Sequence, residues 1–595
     1  MPNVPDRTIF DPQLNVYMHT GDNAVEMGQR FKQGHLATDI ETPGLDEAFT
    51  INCVTMCWTE GEKTHAILLD PRRVENHAKL VADMYARASM IILHNAPFDV
   101  PALYHHGLLT LPQISKIVDT LVLARFGFPD QMVRKGLGAL AKKHLGMDDN
   151  AEGMKLAFKA AGYRTIEAGW KGMDIDSPIY RQGAMLDTVA TLRLQPLLRE
   201  HCWAFSTKHP FEHYGATTVS EAEALLETQE TVHRVMLSRT ARGLAVDRDY
   251  LLVYAEKVQQ DRVLAEAELA TAGLEGGVGK GAALVRYLDD IGELPSPWPR
   301  TPKGALRATK DDLEQLDHPL AKAQRTLADT EKTMGYLVKV TNQAEVTGRC
   351  HPQVGTLAAS STGRMAYSMP ELQQFPSEAR AVLCDDGQGL TSIDWSQIEP
   401  VTMGVMAKDH AFLAPYEAGD DLYEPLMRAA GISRPMAKVG LLADMYGQGE
   451  LGMAKRLGLS IEQAGQMRRQ IRAAMPMCTR WMAQVQDIAS QYGVIVTAGG
   501  RILPVDSGGV FRAVNYIVQG SAYDVLAHTI CEMRRAGIAD HIQLAMHDEV
   551  VVDTEVAEEV QQIMMTPPPF FETWLGRVPI LRTDRADMGN AWQKV

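Results

Sequence analysis

Two apolar runs, Ile542-Gln543-Leu544-Ala545-Met546 and Val550-Val551-Val552, are separated only by His547-Asp548-Glu549. An interval that short folds the runs back on each other as a hairpin with acids at its turn. Far earlier, the strand-like Leu390-Thr391-Ser392-Ile393 runs straight into Asp394, with Glu399 five residues on. Pairing of these strands would bring Asp394 and Asp548 together. The device recurs near the other end of the chain, where Leu36 to Ile40 reads as a strand carrying Asp39 and Glu41 at its end. With 595 residues, 45% of them hydrophobic and 22% charged, the chain is too long for one core. An α/β multidomain protein is expected.

Strands come early. Ile51 to Trp58 and Ala66 to Leu69 continue the first sheet, and Met90-Ile91-Ile92-Leu93 reads as a buried strand. Ser177-Pro178 has the form of an N-cap followed by proline at the first helical position, opening a helix to about Leu198. From about Val219 to Gln343 long helices rich in Glu, Leu, Ala and Lys are broken by a Gly/Pro segment. A helical block then spans Tyr423 to Tyr492. The seven cysteines show neither Cys-x-x-Cys pairs nor a nearby His cluster, so neither a disulfide framework nor a zinc site is expected. Met1-Pro2-Asn3-Val4-Pro5-Asp6-Arg7 has no apolar core of signal-peptide type, and no apolar run approaches the roughly 18 residues of a membrane span. A soluble, cytoplasmic protein is the expectation.

Asp39 and Glu41 are two residues apart on a strand and share a side, while Ile40 faces the core. Two acids facing one way repel, and a divalent cation such as Mg²⁺ relieves that. His94-Asn95-Ala96-Pro97-Phe98-Asp99 puts a third acid just past a second strand, and Asp187 puts a fourth on the helix opened by Ser177-Pro178. Any one of these acids alone reads as a cap or a surface residue. Four together would hold two metals about 4 Å apart, the arrangement that serves phosphodiester hydrolysis.

The formal charge of -15 excludes a protein that coats nucleic acid over its whole surface. From Arg428 to Arg480, however, nine Lys/Arg face only Asp444, Glu450 and Glu462, a local excess of +6 that points to a confined anion site. Within it Arg434, Lys438, Leu442 and Tyr446 recur every four residues, making one helical lane about 18 Å long. Arg434 and Lys438 suit phosphates and Tyr446 suits stacking near a base. In isolation such a lane is a cation-flanked core stripe; beside Asp394 and Asp548 it reads as the seat of a nucleoside triphosphate.

The N-terminal acids resemble those of the DnaQ-like, RNase-H-fold 3′→5′ exonucleases. From about residue 36 to its end the chain resembles the family A DNA polymerases, especially compact bacteriophage forms without a 5′-nuclease domain. Asp394 to Glu399 match motif A, Arg434 to Gly447 motif B and His547-Asp548-Glu549 motif C. Thr362-Gly363-Arg364, Pro370 to Pro376, Gly500-Arg501, Asn515 with Gln519-Gly520, and Trp592 follow in family order. The resemblance implies an exonuclease domain over 1–205 and a right-hand polymerase domain over 206–595. Its thumb would lie near 215–345, its palm near 346–422 and 500–595, and its fingers near 423–499. It implies a template-directed DNA polymerase with proofreading, the replicative enzyme of a phage working in the bacterial cytoplasm. Its partners would be primer-template DNA, dNTPs and a single-stranded 3′ end, with any processivity factor left open.

Two Mg²⁺ ions in each active site, with Mn²⁺ able to stand in, are implied as cofactors. Asp394, the Trp395 carbonyl and Asp548 would be ligands in one site and Asp39, Glu41, Asp99 and Asp187 in the other; Glu549 and Lys438 would join the catalytic set. Arg434, Lys438, Leu442, Tyr446, Glu399, Gln397 and Tyr423 would contact the nucleotide, Glu399 by crowding the sugar 2′ position. Arg364, Gln373, Arg501, Asn515, Gln519 and His547 would contact DNA, largely in the minor groove, where acceptors are nearly the same for every base pair.

The chain departs from the pattern in places. The water-orienting Tyr expected four residues before Asp187 is Gly183, with Tyr180 one turn further back. Motif A continues Pro400-Val401 rather than Leu-Arg. Tyr423 stands where the family has His, and Ala545 where it has Gln, with Gln543 on the same strand face. Two other readings compete: a single-subunit RNA polymerase-like enzyme, against which Glu399, Glu549 and the exonuclease set argue, and a nuclease with a non-catalytic DNA-binding C-terminal region, against which Asp394, Lys438 and Asp548 argue. Leu442 stands where an aromatic is usual and has no hydroxyl to replace a missing 3′-hydroxyl. Poor use of dideoxynucleotides is therefore expected; efficient termination at equal dideoxy and deoxy concentrations would contradict it.

Overall fold

Ile40 is buried while its neighbours Asp39 and Glu41 share the other side of a strand, and that alternation sets the middle of the first sheet. In the computed structural model, residues 7–211, 214–359 and 361–593 are described; of the opening segment Met1 to Arg7 read for a leader, residues 1–6 lie outside them. Seven strands form this sheet: β1 (Arg7–Asp11), β2 (Val16–Thr20), β3 (Gly34–Glu41), β4 (Cys53–Glu60), β5 (Lys63–Leu69), β6 (Ala88–Leu93) and β7 (Ile117–Asp119). Their order is β1-β2-β5-β4-β3-β6-β7. β3 pairs antiparallel with β4 but parallel with β6, which pairs parallel with β7. Ile91, Ile92 and Leu93 are fully buried, as a parallel strand covered on both faces requires.

The helix opened by Pro178 packs across β3, β4 and β5. It runs to Thr207 rather than stopping near Leu198, and Pro196 lies within it. Its last turns are held by burial: Leu194, Leu198, Cys202 and Ser206 recur every four residues on one inward face, and His201 stacks on Phe128 with ring centroids 3.9 Å apart. Tertiary contact here outweighs the local signal for termination.

The late hairpin forms as expected, Ile542–Met546 against Glu549–Asp553 with Met546 opposite Glu549. His547 takes up the left-handed backbone at φ 56 that so tight a turn demands. A four-stranded sheet runs in the order Ile542–Met546, Glu549–Asp553, Leu390–Trp395, Thr583–Gly589. The strand Leu390–Trp395 is therefore internal, and its first four residues are buried. The helix Ala513–Ala536 is buried along most of its length.

The chain divides into two compact units. The first comprises Met1–Arg242, Gln353–Ala366 and Thr391–Asp587, and the second Gly243–Pro352, Tyr367–Leu390 and Met588–Val595. In the second, the helices Arg248–Ala270 and Pro319–Thr347 pack lengthwise, and Trp592 is buried with the Arg380 guanidinium over its ring. All seven cysteines are free thiols and six are buried. Among the described residues no helix is long and apolar enough to cross a membrane.

Arg501, expected among the DNA contacts, is only 5% exposed. Its Nε donates to Asp524 and its Nη2 to the Gly520 carbonyl at 2.8 Å, joining the strand Ile502–Pro504 to the helix behind it. Removing one partner of a buried pair leaves the other uncompensated, at a cost of about 3–5 kcal/mol. Arg501→Ala should therefore lower the melting temperature of the protein by several degrees; a variant as stable as the parent that loses only DNA affinity would contradict this role.

Candidate active sites

The internal strand delivers Asp394 to its end, and the Trp395 amide donates to the Asp548 carbonyl at 3.0 Å. Residues 394 and 548 thus sit on neighbouring strand ends, and both line one open cavity of about 600 Å³. Burial raises the pKa of Asp548, the Arg364 charge opposing it. Ser392 donates its hydroxyl to Glu549 on the adjoining strand. Gln397, at φ 59, turns the chain into the helix Ile398–Met406, which carries Glu399 to the cavity wall.

Arg434, Lys438, Leu442 and Tyr446 all line this cavity. The helix Arg434–Met445 begins at Ser433 with proline in its first turn, and its opposite side buries Ala437, Gly440, Leu441 and Asp444. Asp444 is salt-bridged by Arg468 and Arg472 of the helix Ile461–Ala474, at 2.6 and 2.8 Å. Part of the positive excess of this segment is thus spent internally. Arg434 pairs with Asp421 and lies over the Tyr423 ring, whose burial pushes its phenol up to about 12. Lys438 is exposed to the cavity and meets no carboxylate among the described residues.

Glu399 accepts from Arg364 at 2.5 Å and from the Tyr446 hydroxyl at 2.6 Å, and Gln519 also hydrogen-bonds Tyr446. Burial lowers the pKa of His547, and Arg364 is its strongest charged neighbour. Asn515 has a buried carbonyl oxygen without a partner among the described residues. Gln373 belongs to the second unit, where it accepts from the Tyr367 amide. Gln543 does not stand free on its strand: it accepts from Arg239 and donates to Asp553. Arg582 and Asp584 also line the cavity, and Ser396 donates to Asp584 at 2.8 Å; no local pattern marked them.

Asp39 and Glu41 of β3 and Asp187 of the helix Pro178–Thr207 offer carboxylate oxygens that all lie within 4.8 Å of one another. Asp99, on the helix Ala96–His105, accepts from the Ile40 amide at 3.0 Å and hydrogen-bonds Asp39. Asp119 holds the turn before that helix, accepting from the Asn95 and Ala96 amides. Burial, then mutual repulsion, raises Asp39 and Glu41 well above the usual carboxylate range. Burial raises Asp99 to about 8 and Asp187 to about 6. Hard oxygen donors crowded in this way, short of positive charge, fit a divalent cation. Tyr180 is engaged elsewhere: its hydroxyl meets Asn52 at 3.2 Å and its ring abuts Trp170.

Residues 262–580 match the sequence profile of DNA polymerase family A. The chain belongs to that family. The DNA polymerase of Mycobacterium phage L5 is 26% identical over 545 residues, covering 88% of this chain and 87% of the phage protein. That of Mycobacterium phage D29 is 25% identical over 550 residues with the same coverage. The fold matches the POL domain of Pol1 from M. smegmatis, solved in complex with DNA primer-template and dNTP, at a TM-score of 0.69 and 19% identity over 94% of this chain and 95% of that one. Family A polymerases share this architecture.

The acidic cluster gives a pH test. In the unfolded chain an aspartate titrates near about 4. Asp99 and Asp187, raised in the fold, bind protons that the unfolded chain has already released. The cluster therefore subtracts stability as pH rises from about 4 to about 8, and a bound cation restores it. The gain in melting temperature on adding Mg²⁺ should be larger near pH 8 than near pH 5, and should shrink when Asp39 and Asp187 are both changed to Asn. An increment independent of pH and of these residues would contradict the reading.

Proposed function

We propose that the chain is a template-directed DNA polymerase with its own 3′→5′ proofreading exonuclease, the replicative polymerase of a bacteriophage. The observation that carries this reading is the cavity in which Asp394 and Asp548, on neighbouring strand ends, face the lane Arg434, Lys438, Leu442 and Tyr446. Residues 1–205 would form an RNase-H-like exonuclease domain, which the mixed sheet with Asp39 and Glu41 on an internal strand supports. Residues 206–595 would form the polymerase, with thumb near 215–345, palm near 346–422 and 500–595, and fingers near 423–499.

Asp394, Asp548 and the Trp395 carbonyl would hold two Mg²⁺ ions, and Asp39, Glu41, Asp99 and Asp187 another pair. When bound, such ions lower the pKa of an attacking hydroxyl or water and neutralise charge on the phosphates. The protein's own groups do the positioning. Lys438 and Arg434 meet the triphosphate of an incoming dNTP, and Leu442 and Tyr446 border its sugar and base. Glu399, fixed from two sides, leaves no room for a 2′-hydroxyl. Arg364, Asn515, Gln519 and His547 would follow the primer-template minor groove, and Glu549, anchored by Ser392, stiffens the hairpin beneath the primer end.

Primer extension with matched and mismatched 3′ ends, with and without dNTPs, reports both activities. Asp394→Ala and Asp548→Ala should each abolish extension, by at least about a thousandfold, while still degrading a single-stranded primer. Asp39→Ala should do the reverse. Extension by Asp394→Ala at the parental rate would defeat the polymerase reading, and undiminished degradation by Asp39→Ala would defeat the exonuclease reading.

A further inference from the structure

Gly183 stands where exonucleases of this kind would place a water-orienting ring, and the space beside it is filled. A Cβ added at Gly183 would fall 2.2 Å from the sulfur of Met154 and 3.0 Å from its methyl group. Met154 belongs to the helix Asn150–Ala160, whose N-cap Asp149 accepts from the Glu152 amide. The first residue of that helix is Asn150. Its Nδ2 donates to the Gly183 carbonyl at 2.8 Å and to Asp187 Oδ1 at 2.9 Å. Both partners are acceptors, so the amide can satisfy them only by presenting its NH₂. It therefore bridges the main chain and the acidic side chain of one helical turn, four residues apart. The carboxylate is held through Oδ1, and Asp187 offers an oxygen within 4.8 Å of those of Asp39 and Glu41.

We propose that Asn150 is the positioning residue of the N-terminal site, orienting Asp187 toward Asp39 and Glu41. This rests on the exonuclease reading above. Asn150 donates and Asp187 accepts, which favours the ionised carboxylate that a cation requires, and the tie to Gly183 keeps the amide from following the carboxylate if it rotates. Loss of a residue that orients a metal ligand reduces metal affinity or activity by about 10–100-fold. A tie that merely joined two helices would leave the cation requirement of the site untouched.

The test uses the full chain with Asn150→Ala, the near-isosteric Asn150→Asp, which replaces the donor by a fifth acid, and Asn150→Gln, which keeps the amide on a longer stem. Degradation of a labelled single-stranded primer is measured against Mg²⁺ and primer concentration, with primer extension as the control for folding. Asn150→Ala and Asn150→Asp should lower exonuclease kcat by about 10–100-fold. They should raise the Mg²⁺ concentration for half-maximal rate, leave KM for primer unchanged and leave extension unchanged. Asn150→Gln should recover part of the loss. Parental kcat and Mg²⁺ dependence in both Asn150→Ala and Asn150→Asp would overturn the proposal, as would a loss of degradation accompanied by an equal loss of extension. Absence of degradation by the parent, or its persistence in Asp39→Ala, would instead overturn the exonuclease reading itself.

Discussion

Like-charged carboxylates held within hydrogen-bonding reach of one another, away from water, are the constraint on which the rest of this molecule turns. Left to themselves, such groups would separate or take up protons. Here main-chain geometry forbids separation. Asp39 and Glu41 are fixed two residues apart on an internal strand, Asp99 is tied to the Ile40 amide, and Asp187 is tied through Asn150 to its own helix. In the second sheet the Trp395 amide bonds the main chain of Asp548, so neither strand end can retreat. The fold therefore keeps the first acidic set concentrated, and burial drives the pKa values of Asp39, Glu41, Asp99 and Asp187 upward, as it does that of Asp548. Repulsion of this kind is relieved by small hard cations, which carboxylate oxygens suit.

Glu399 has the opposite treatment. It is bonded by Arg364 on one side and Tyr446 on the other, so its charge is neutralised and its position settled. That makes it a wall rather than a ligand, and it links the end of the helix Arg434–Met445 to the strand bearing Asp394. The turn after that helix is equally constrained. Gly447 has φ 73, and a Cβ there would lie 2.1 Å from the Phe511 carbonyl. Only glycine permits that approach, and with it the seat of Tyr446.

Elements whose register is dictated by nearest neighbours were legible from residue order. The hairpin around His547, the strand ending in Asp394, the four-residue lane from Arg434 to Tyr446 and the shared side of Asp39 and Glu41 all follow from periods of two or 3.6 and from turn length. What escaped depends on contacts without a period. The helix opened by Pro178 outran its expected end because buried contacts of Cys202 and Ser206 outweigh local preference. Asn150, Asp119, Arg582 and Asp584 reach their partners across long stretches of chain and leave no pattern. Arg501 shows the limit from the other side: a family-ordered arginine proved to be buried against Asp524, because an arginine's charge says nothing of whether its partner is a phosphate or a carboxylate.

The measurement that bears most directly on this account is anomalous diffraction from crystals of the protein grown with primer-template and Mn²⁺. Peaks are expected at about 2.2 Å from carboxylate oxygens of both Asp394 and Asp548, with further peaks among Asp39, Glu41, Asp99 and Asp187. Empty maps at either acidic set, or Asp394 and Asp548 oxygens more than about 10 Å apart and so beyond what two bridging ions can span, would contradict it.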